Sequence, residues 1–288
     1  MDSAFSRLAA DEYSFGEASR GHRRSEDAGA LHAMMECYFD DSSDPRREKY
    51  MACGGLMGSS DHWDSFDMLW SDATHGLKEP FRATDCECGY GQFSDAKKWP
   101  KPKRDALMAK LTGIIDWRGL YGFAAIVPIE EYNAAFPNCG KYDALLLAST
   151  QAIMNMAYIA HQVGKDASLW FESGPRIGTV EAIFHSVRAF VSWSPANHLR
   201  RFTSETKKIR PLQAADFVAR EAFKYMDNRG LRPTRKPLRV LEDVLCFIVW
   251  TSEALEYLAR NGGRENLELL SAWDTRRAPR FRHFWKEF

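Results

Sequence analysis

The sequence lacks an excess of charge of either sign. Its 288 residues carry 39 Lys+Arg and 39 Asp+Glu, a formal net charge of zero. A strongly basic nucleic-acid binder is therefore excluded, although local basic patches are not. No apolar run reaches the length of a membrane span. The opening "MDSAFSRLAADEYSF" has no apolar leader. No GxGxxG follows the first strand-like run, and "GGLMGSS" lacks the lysine and the spacing of a phosphate-binding loop. Cysteines are few, six in all, and only Cys86 and Cys88 stand close together. A lone CxC is half a zinc site at best, because zinc usually takes four ligands. Cys37 lies in an apolar strand-like run and Cys246 in an apolar helix-like run, both read as buried thiols. With no leader and no span, a reducing cytoplasm without membrane attachment is the expected setting.

What is present is ample core material. Hydrophobic residues make up 45% of the chain, with 9 Trp and 18 Phe. Residues 1–30 are polar and mixed, and read as a flexible or loosely docked lead-in. From Ala33 to Phe39 the chain is strand-like and ends at Asp40 and Asp41. "YMACGGLM" gives a second strand, and the turn between them makes a hairpin. Gly54 and Gly55 permit a close backbone approach. A helix opens near Asp61, and residues 80–102 read as a surface loop.

An amphipathic helix follows around "KRDALMAKLTGIIDW". "FAAIVPI" is a strand for which Pro128 suggests an edge or a bulge near its end. A long apolar helix precedes the strand "ASLWFESG", which again ends at an acid, Glu172. A further helix, a short strand in "LRRFTSETKKI", and a helix with Pro211 near its start come next. Beyond residue 228, "RVLEDVLCFIVWTSEALEYLARNGG" reads as one apolar helix, open to service in a homodimer or against a protein partner. Strands followed by crossover helices imply an α/β fold with a mixed sheet and flanking helices. The expected division is a lead-in at 1–30, a core at 31–228 and a helical C-terminal extension at 229–288.

The placement of acids carries the chemistry. Asp40, Asp41 and Glu172 end strands, while Asp216 lies in the apolar helix segment "LQAADFVA". Gathered carboxylates repel one another unless a cation joins them. Mg²⁺ or Mn²⁺, being hard and oxygen-seeking, suits such a set, and a pair of ions can drive phosphodiester hydrolysis. Each acid also has a plainer role. Asp40 and Asp41 are common turn residues, Glu172 precedes Ser173-Gly174, and Asp216 has Arg220 as a ready salt-bridge partner. Lys207, Lys208 and Arg210 form a basic run suited to phosphate contacts or simply to solvent. The tail "RRAPRFRHFWKEF" mixes cations with aromatics, a pattern compatible with nucleic-acid stacking and equally with a packed terminal aromatic segment.

These residues carry a family resemblance. "YFDDSS" (Tyr38–Ser43), "FRATDCECGYGQF", "SLWFESG" and "PLQAADFVA" (Pro211–Ala219) resemble the motifs of the DUF3800 family of bacterial and phage proteins. The resemblance runs from about residue 33 to 227. It implies an RNase H-like core in which first-strand, later-strand and helix acids converge. Carried over, this makes Asp40, Asp41, Glu172 and Asp216 a metal-binding and catalytic set, with Asp85 as a further metal acid; in such an enzyme Lys208, from the basic run before the Asp216 helix, is expected to steady substrate. The implied activity is a Mg²⁺- or Mn²⁺-dependent nuclease. The alternative is a non-catalytic nucleic-acid- or protein-binding module on the same fold. This chain departs from the family pattern at Asp41 (usually Glu), Ser43 (usually Gly) and Arg82 (usually His).

Overall fold

A computed structural model describes residues 34–116, 120–138, 143–241 and 243–260. The lead-in, the basic aromatic tail and Cys139 lie outside the described residues. The described residues build a six-stranded sheet in the order β5-β4-β1-β2-β3-β6. Strand β1 (Met34–Ser43) and β2 (Tyr50–Ser59) form the expected antiparallel hairpin, and β2 pairs antiparallel with β3 (Tyr121–Pro128). On the other side β1 pairs in parallel with β4 (Asp166–Glu172), and β4 in parallel with β5 (Leu199–Glu205). The fold is thus a mixed α/β sheet with flanking helices, as expected.

Helices cover both faces. On one, α1 (Ser60–Thr74), α2 (Ala83–Cys88), α3 (Lys101–Ile115) and α7 (Arg210–Asn228) pack with Trp70, Phe81 and Phe217. On the other, α5 (Asp143–Gln162) and α6 (Ile177–Arg188) pack with Phe39, Phe171 and Phe184, beside the short α4 (Ile129–Ala135). The period-2 alternation of β1 sends Tyr38 to the first face and Phe39 to the second. No described helix is long and apolar enough to cross a membrane.

Three local expectations change. Residues 80–102 are not all loop: α2 and a 3₁₀ turn at Gly91–Phe93 sit there, anchored by buried Phe81, Phe93 and Trp99. Strand β3 is interior, since β6 (Leu245–Val249) pairs in parallel along its outer side. Pro128 is tolerated because pairing with β6 stops at Ile126. The run expected as one C-terminal helix instead divides into β6, which holds Cys246, and the short α9 (Ser252–Arg260). "LCFIV" is a five-residue apolar run rich in β-branched and aromatic residues, and pairing with β3 decides its conformation. Its apolar surface is spent within the sheet, so that run presents no long helix to a second copy. The short α8 (Lys236–Val240) links α7 to β6.

Candidate functional site

The site forms where the carboxyl ends of the parallel neighbours β1 and β4 meet the start of α7. In β1, Asp40 pairs across to Gly54 of β2. A Cβ on Gly54 would lie 2.7 Å from the backbone of Ala219. The absence of that carbon lets α7 press onto the sheet. Asp216, one turn earlier on α7, is thereby brought over Asp40.

Asp40, Glu172 and Asp216 converge, and a cation lies among them. That cation is Lys207. Its Nζ lies 2.8 Å from Asp40 Oδ2, 3.0 Å from Glu172 Oε2 and 3.0 Å from Asp216 Oδ1. The Lys207 side chain is only 8% exposed. Most other carboxylate oxygens are also engaged. Asp216 Oδ2 accepts the Ala83 amide at 2.7 Å, and Asp40 Oδ1 accepts the Asp41 amide at 2.7 Å. The contact at Asp40 Oδ2 is an ion pair lying off the ideal donor direction.

The electrostatics follow from two buried acids, Asp40 and Asp216, and the half-buried Glu172 around one ammonium. Burial pushes the Asp40 carboxyl well above its usual range, against the pull of Lys207 and with the push of Asp216 and Glu172. Burial also acts to raise Glu172, but a hydrogen bond from Asp40 and the Lys207 charge hold it below the usual carboxylate range. Lys207 loses stability of its charge to burial, yet Asp216, Asp40 and Glu172 together raise it above an ordinary lysine. One internal ammonium thus offsets part of the charge of the three carboxyls.

Lys207 is held from behind. Its backbone carbonyl accepts Gln213 Nε2 at 2.8 Å. Gln213 Oε1 in turn accepts Trp70 Nε1 at 2.9 Å and the Phe81 amide at 3.2 Å. One buried amide thus pins the segment before α7 to α1 and to the chain leading into α2.

The other expected site residues lie elsewhere. Asp41 faces away from the Lys207 contacts. Burial raises its carboxyl, and Arg47 partly offsets that rise. Asp85 is on α2 with its carboxylate against Gly91, not among the acids around Lys207. Lys208 is exposed and lines a separate polar cleft of about 470 Å³ with His75, Thr74 and Arg210. Arg210 grips Asp67 there at 2.7 and 2.9 Å. Arg220 does not take Asp216. It pairs with Glu87 at 3.2 Å, and Arg235 bridges Glu87 at 2.7 Å and Glu221 at 3.0 Å. Cys86 is buried, and burial pushes its thiol up to about 12, which disfavours the thiolate that zinc would need.

Sequence reasoning assigned Lys207 to a basic run and missed its central place. The available signal was its position just before an acid-bearing helix that starts with proline.

The donor chemistry of Asp40, Glu172 and Asp216 suits Mg²⁺ or Mn²⁺, but their arrangement does not. The point they share is taken by Lys207, and among the described residues no group of three or more His, Cys, Asp or Glu is disposed to hold a metal ion.

No known protein-family profile matches the chain. A curated protein, S-methyl-5'-thioadenosine phosphorylase of Mycosarcoma maydis, is 27% identical over 107 residues, 37% of this chain. The match spans about a third of that protein's length, 34%. Among solved structures, the PCNA:RNase HII complex from Archaeoglobus fulgidus aligns over 73% of this chain and 87% of the matched chain. Its TM-score is 0.36 and its identity 14%. Neither likeness places the chain in a family.

Proposed function

We propose that the protein is a non-catalytic nucleic-acid-binding module on an RNase H-like core, a divergent relative of the DUF3800 group. One observation carries this reading: Lys207 occupies the point on which Asp40, Glu172 and Asp216 converge. A divalent ion would have to displace a buried ammonium that is held by three ion pairs. The cluster then serves to hold the ends of β1 and β4 and the start of α7 in register. Exposed cations are available to meet phosphate: Arg82 adds positive field at Glu172, and Lys208 lines the separate polar cleft beside His75 and Arg210.

A second reading is a Mg²⁺- or Mn²⁺-dependent phosphodiester hydrolase, favoured by the convergence of the three acids at the ends of β1 and β4. It requires Lys207 to withdraw so that Asp40, Glu172 and Asp216 are released to a metal.

The two readings separate in one experiment. Labelled single-stranded, duplex and hybrid oligonucleotides are titrated with the protein, with and without Mn²⁺, and the products are run on a gel. The binding reading expects salt-sensitive association, unaffected by Mn²⁺, with no cleavage. Replacing both Arg82 and Lys208 by Ala then lowers the salt slope by about two, one for each phosphate-binding cation removed. Mn²⁺-dependent cleavage that Asp40→Asn abolishes would establish the hydrolase. No association with any oligonucleotide contradicts both readings.

A further inference from the structure

His198 ends a 3₁₀ turn at Ser194–His198 and leads straight into the edge strand β5. It is fastened to α5 at two points. Its Nδ1 lies 2.7 Å from the Lys165 carbonyl oxygen, and its Nε2 lies 3.1 Å from Nδ1 of His161, in the last turn of α5. The ring centroids are 5.1 Å apart, edge to face, and both imidazoles are half-buried. The end of α5 fixes the carbonyl. Gly164, with a φ of 66°, closes the helix in a left-handed turn. There the Lys165 amide donates to the Ala160 carbonyl at 2.9 Å and the Gly164 amide to the His161 carbonyl at 3.2 Å.

The ends of this chain of hydrogen bonds dictate where its protons lie. A carbonyl only accepts, so His198 Nδ1 carries a hydrogen. Neutral His198 then offers a lone pair at Nε2, and His161 Nδ1 donates to it. One added proton is accommodated. His198 Nε2 takes it and donates to His161 Nδ1, whose own hydrogen is exchanged for one on Nε2. A second proton sets N–H against N–H, and no hydrogen bond remains between the rings.

The charged surroundings work in the same sense. Asp166 of β4 lies 3.7 Å from His198 Nδ1, and Arg200 of β5 takes the other oxygen of that carboxylate at 2.7 Å. Lys165 adds a positive charge that is also felt at His62 of α1. On α6, which packs against α5 and the 3₁₀ turn, Glu181 and His185 pair with each other at 3.9 Å. Among the described residues neither they nor Arg188 forms an ion pair with His161 or His198. One carboxylate thus faces two imidazoles, a guanidinium and an ammonium, so two positive charges on the pair meet repulsion.

We propose that His161 and His198 form an acid-sensitive clasp at the edge of the sheet. It holds the start of β5 against α5 while the pair carries one added proton or none, and it opens when both imidazoles are charged. Strand β5 leads through Thr206 to Lys207, so the clasp secures the strand that delivers this lysine to the three acids. The clasp operates whether or not the protein binds nucleic acid.

The test is urea unfolding of the full chain at pH 8 and pH 5, on either side of the range in which imidazole ordinarily titrates. His161→Phe keeps a ring that neither donates nor titrates. Its folding constant is expected to lie about fivefold below wild type at pH 8, the loss of one hydrogen bond, and to equal or exceed wild type at pH 5. The sign follows from proton counts. At pH 5 the unfolded chain binds two protons on these residues and the closed clasp one, so wild type loses ground to the variant as pH falls. His161→Asn places an amide near the Nδ1 position that can donate or accept, so it is expected to match wild type at pH 8 and exceed it at pH 5. In wild type, long-range proton–nitrogen spectra at pH 8 are expected to show hydrogen on Nδ1 of both imidazoles, and amide protection over residues 199–203 is expected to drop at pH 5. A ratio of wild type to His161→Phe that does not change with pH overturns the proposal, as does hydrogen on His198 Nε2 at pH 8. If His161→Phe fails to fold, His161→Asn and the wild-type spectrum decide.

Discussion

Lys207 Nζ lies 2.8 Å from Asp40 Oδ2 in the interior, with Glu172 and Asp216 at 3.0 Å on the same ammonium. Neither member of this pair is tolerable there alone. A buried lysine without acids would lose its proton, and the three gathered acids without a cation would repel one another.

Lys207→Met is therefore expected to destabilise the protein by about 3–5 kcal/mol, the range for removing one partner of a buried ion pair. The loss should shrink as the pH falls, because the stranded carboxylates then take up protons. Urea denaturation of wild type and variant at two pH values measures both effects. A loss that is small, or that grows toward acid pH, contradicts the cluster.

Gln213→Ala removes the partner of three groups at once: the Lys207 carbonyl, the Trp70 indole N–H and the Phe81 amide. Each buried group left unpaired costs about 1–3 kcal/mol, so a total of about 2–5 kcal/mol is expected from incomplete relaxation. Thermal and urea unfolding check it.

Gly54→Ala adds a carbon 2.7 Å from the Ala219 backbone. No flexible side-chain end is there to yield, so α7 must move off the sheet. A loss of about 1–3 kcal/mol is expected, as for overpacking elsewhere. The spectroscopic signature is altered fluorescence of Trp70, which is bonded to Gln213 on α7.

Glu221 titrates high, pushed up to about 7 by burial against the partial relief of Arg235. A folded pKa above the unfolded value gives stability that is complete below the unfolded pKa and lost as pH rises through the folded one. Wild-type stability should fall between roughly pH 4.5 and 7 from this group. Glu221→Gln removes that slope. The difference between the two proteins is expected to move in the variant's favour by on the order of 1–3 kcal/mol across that window. A difference independent of pH would mean that Arg235, 3.0 Å from Glu221 Oε1, fully compensates burial.

Much of the scaffold was legible in the sequence. The hairpin, the acids at the ends of β1 and β4, and the small residues beside Asp216 follow from alternation, composition and helical spacing. What escaped were facts set by three-dimensional neighbours. "TKKIR" reads as a solvated charge run, and only the meeting of β1, β4 and α7 distinguishes the buried Lys207 from the exposed Lys208. Arg220 was the natural partner of Asp216 by helical spacing, yet α2 brings Glu87 to it instead. "LCFIV" is too short for its pattern to separate strand from helix, and its conformation depends on β3.

The most direct measurement is calorimetric titration of Mn²⁺ into wild type and into Lys207→Ala, with Asp40→Asn/Lys207→Ala as control. If Lys207 is the resident cation of the cluster, wild type binds no Mn²⁺ at this site. Lys207→Ala gains a site that stabilises it, and the double variant loses that site. Mn²⁺ binding by wild type that Asp40→Asn abolishes would contradict a cluster occupied by lysine and restore the metal-dependent hydrolase.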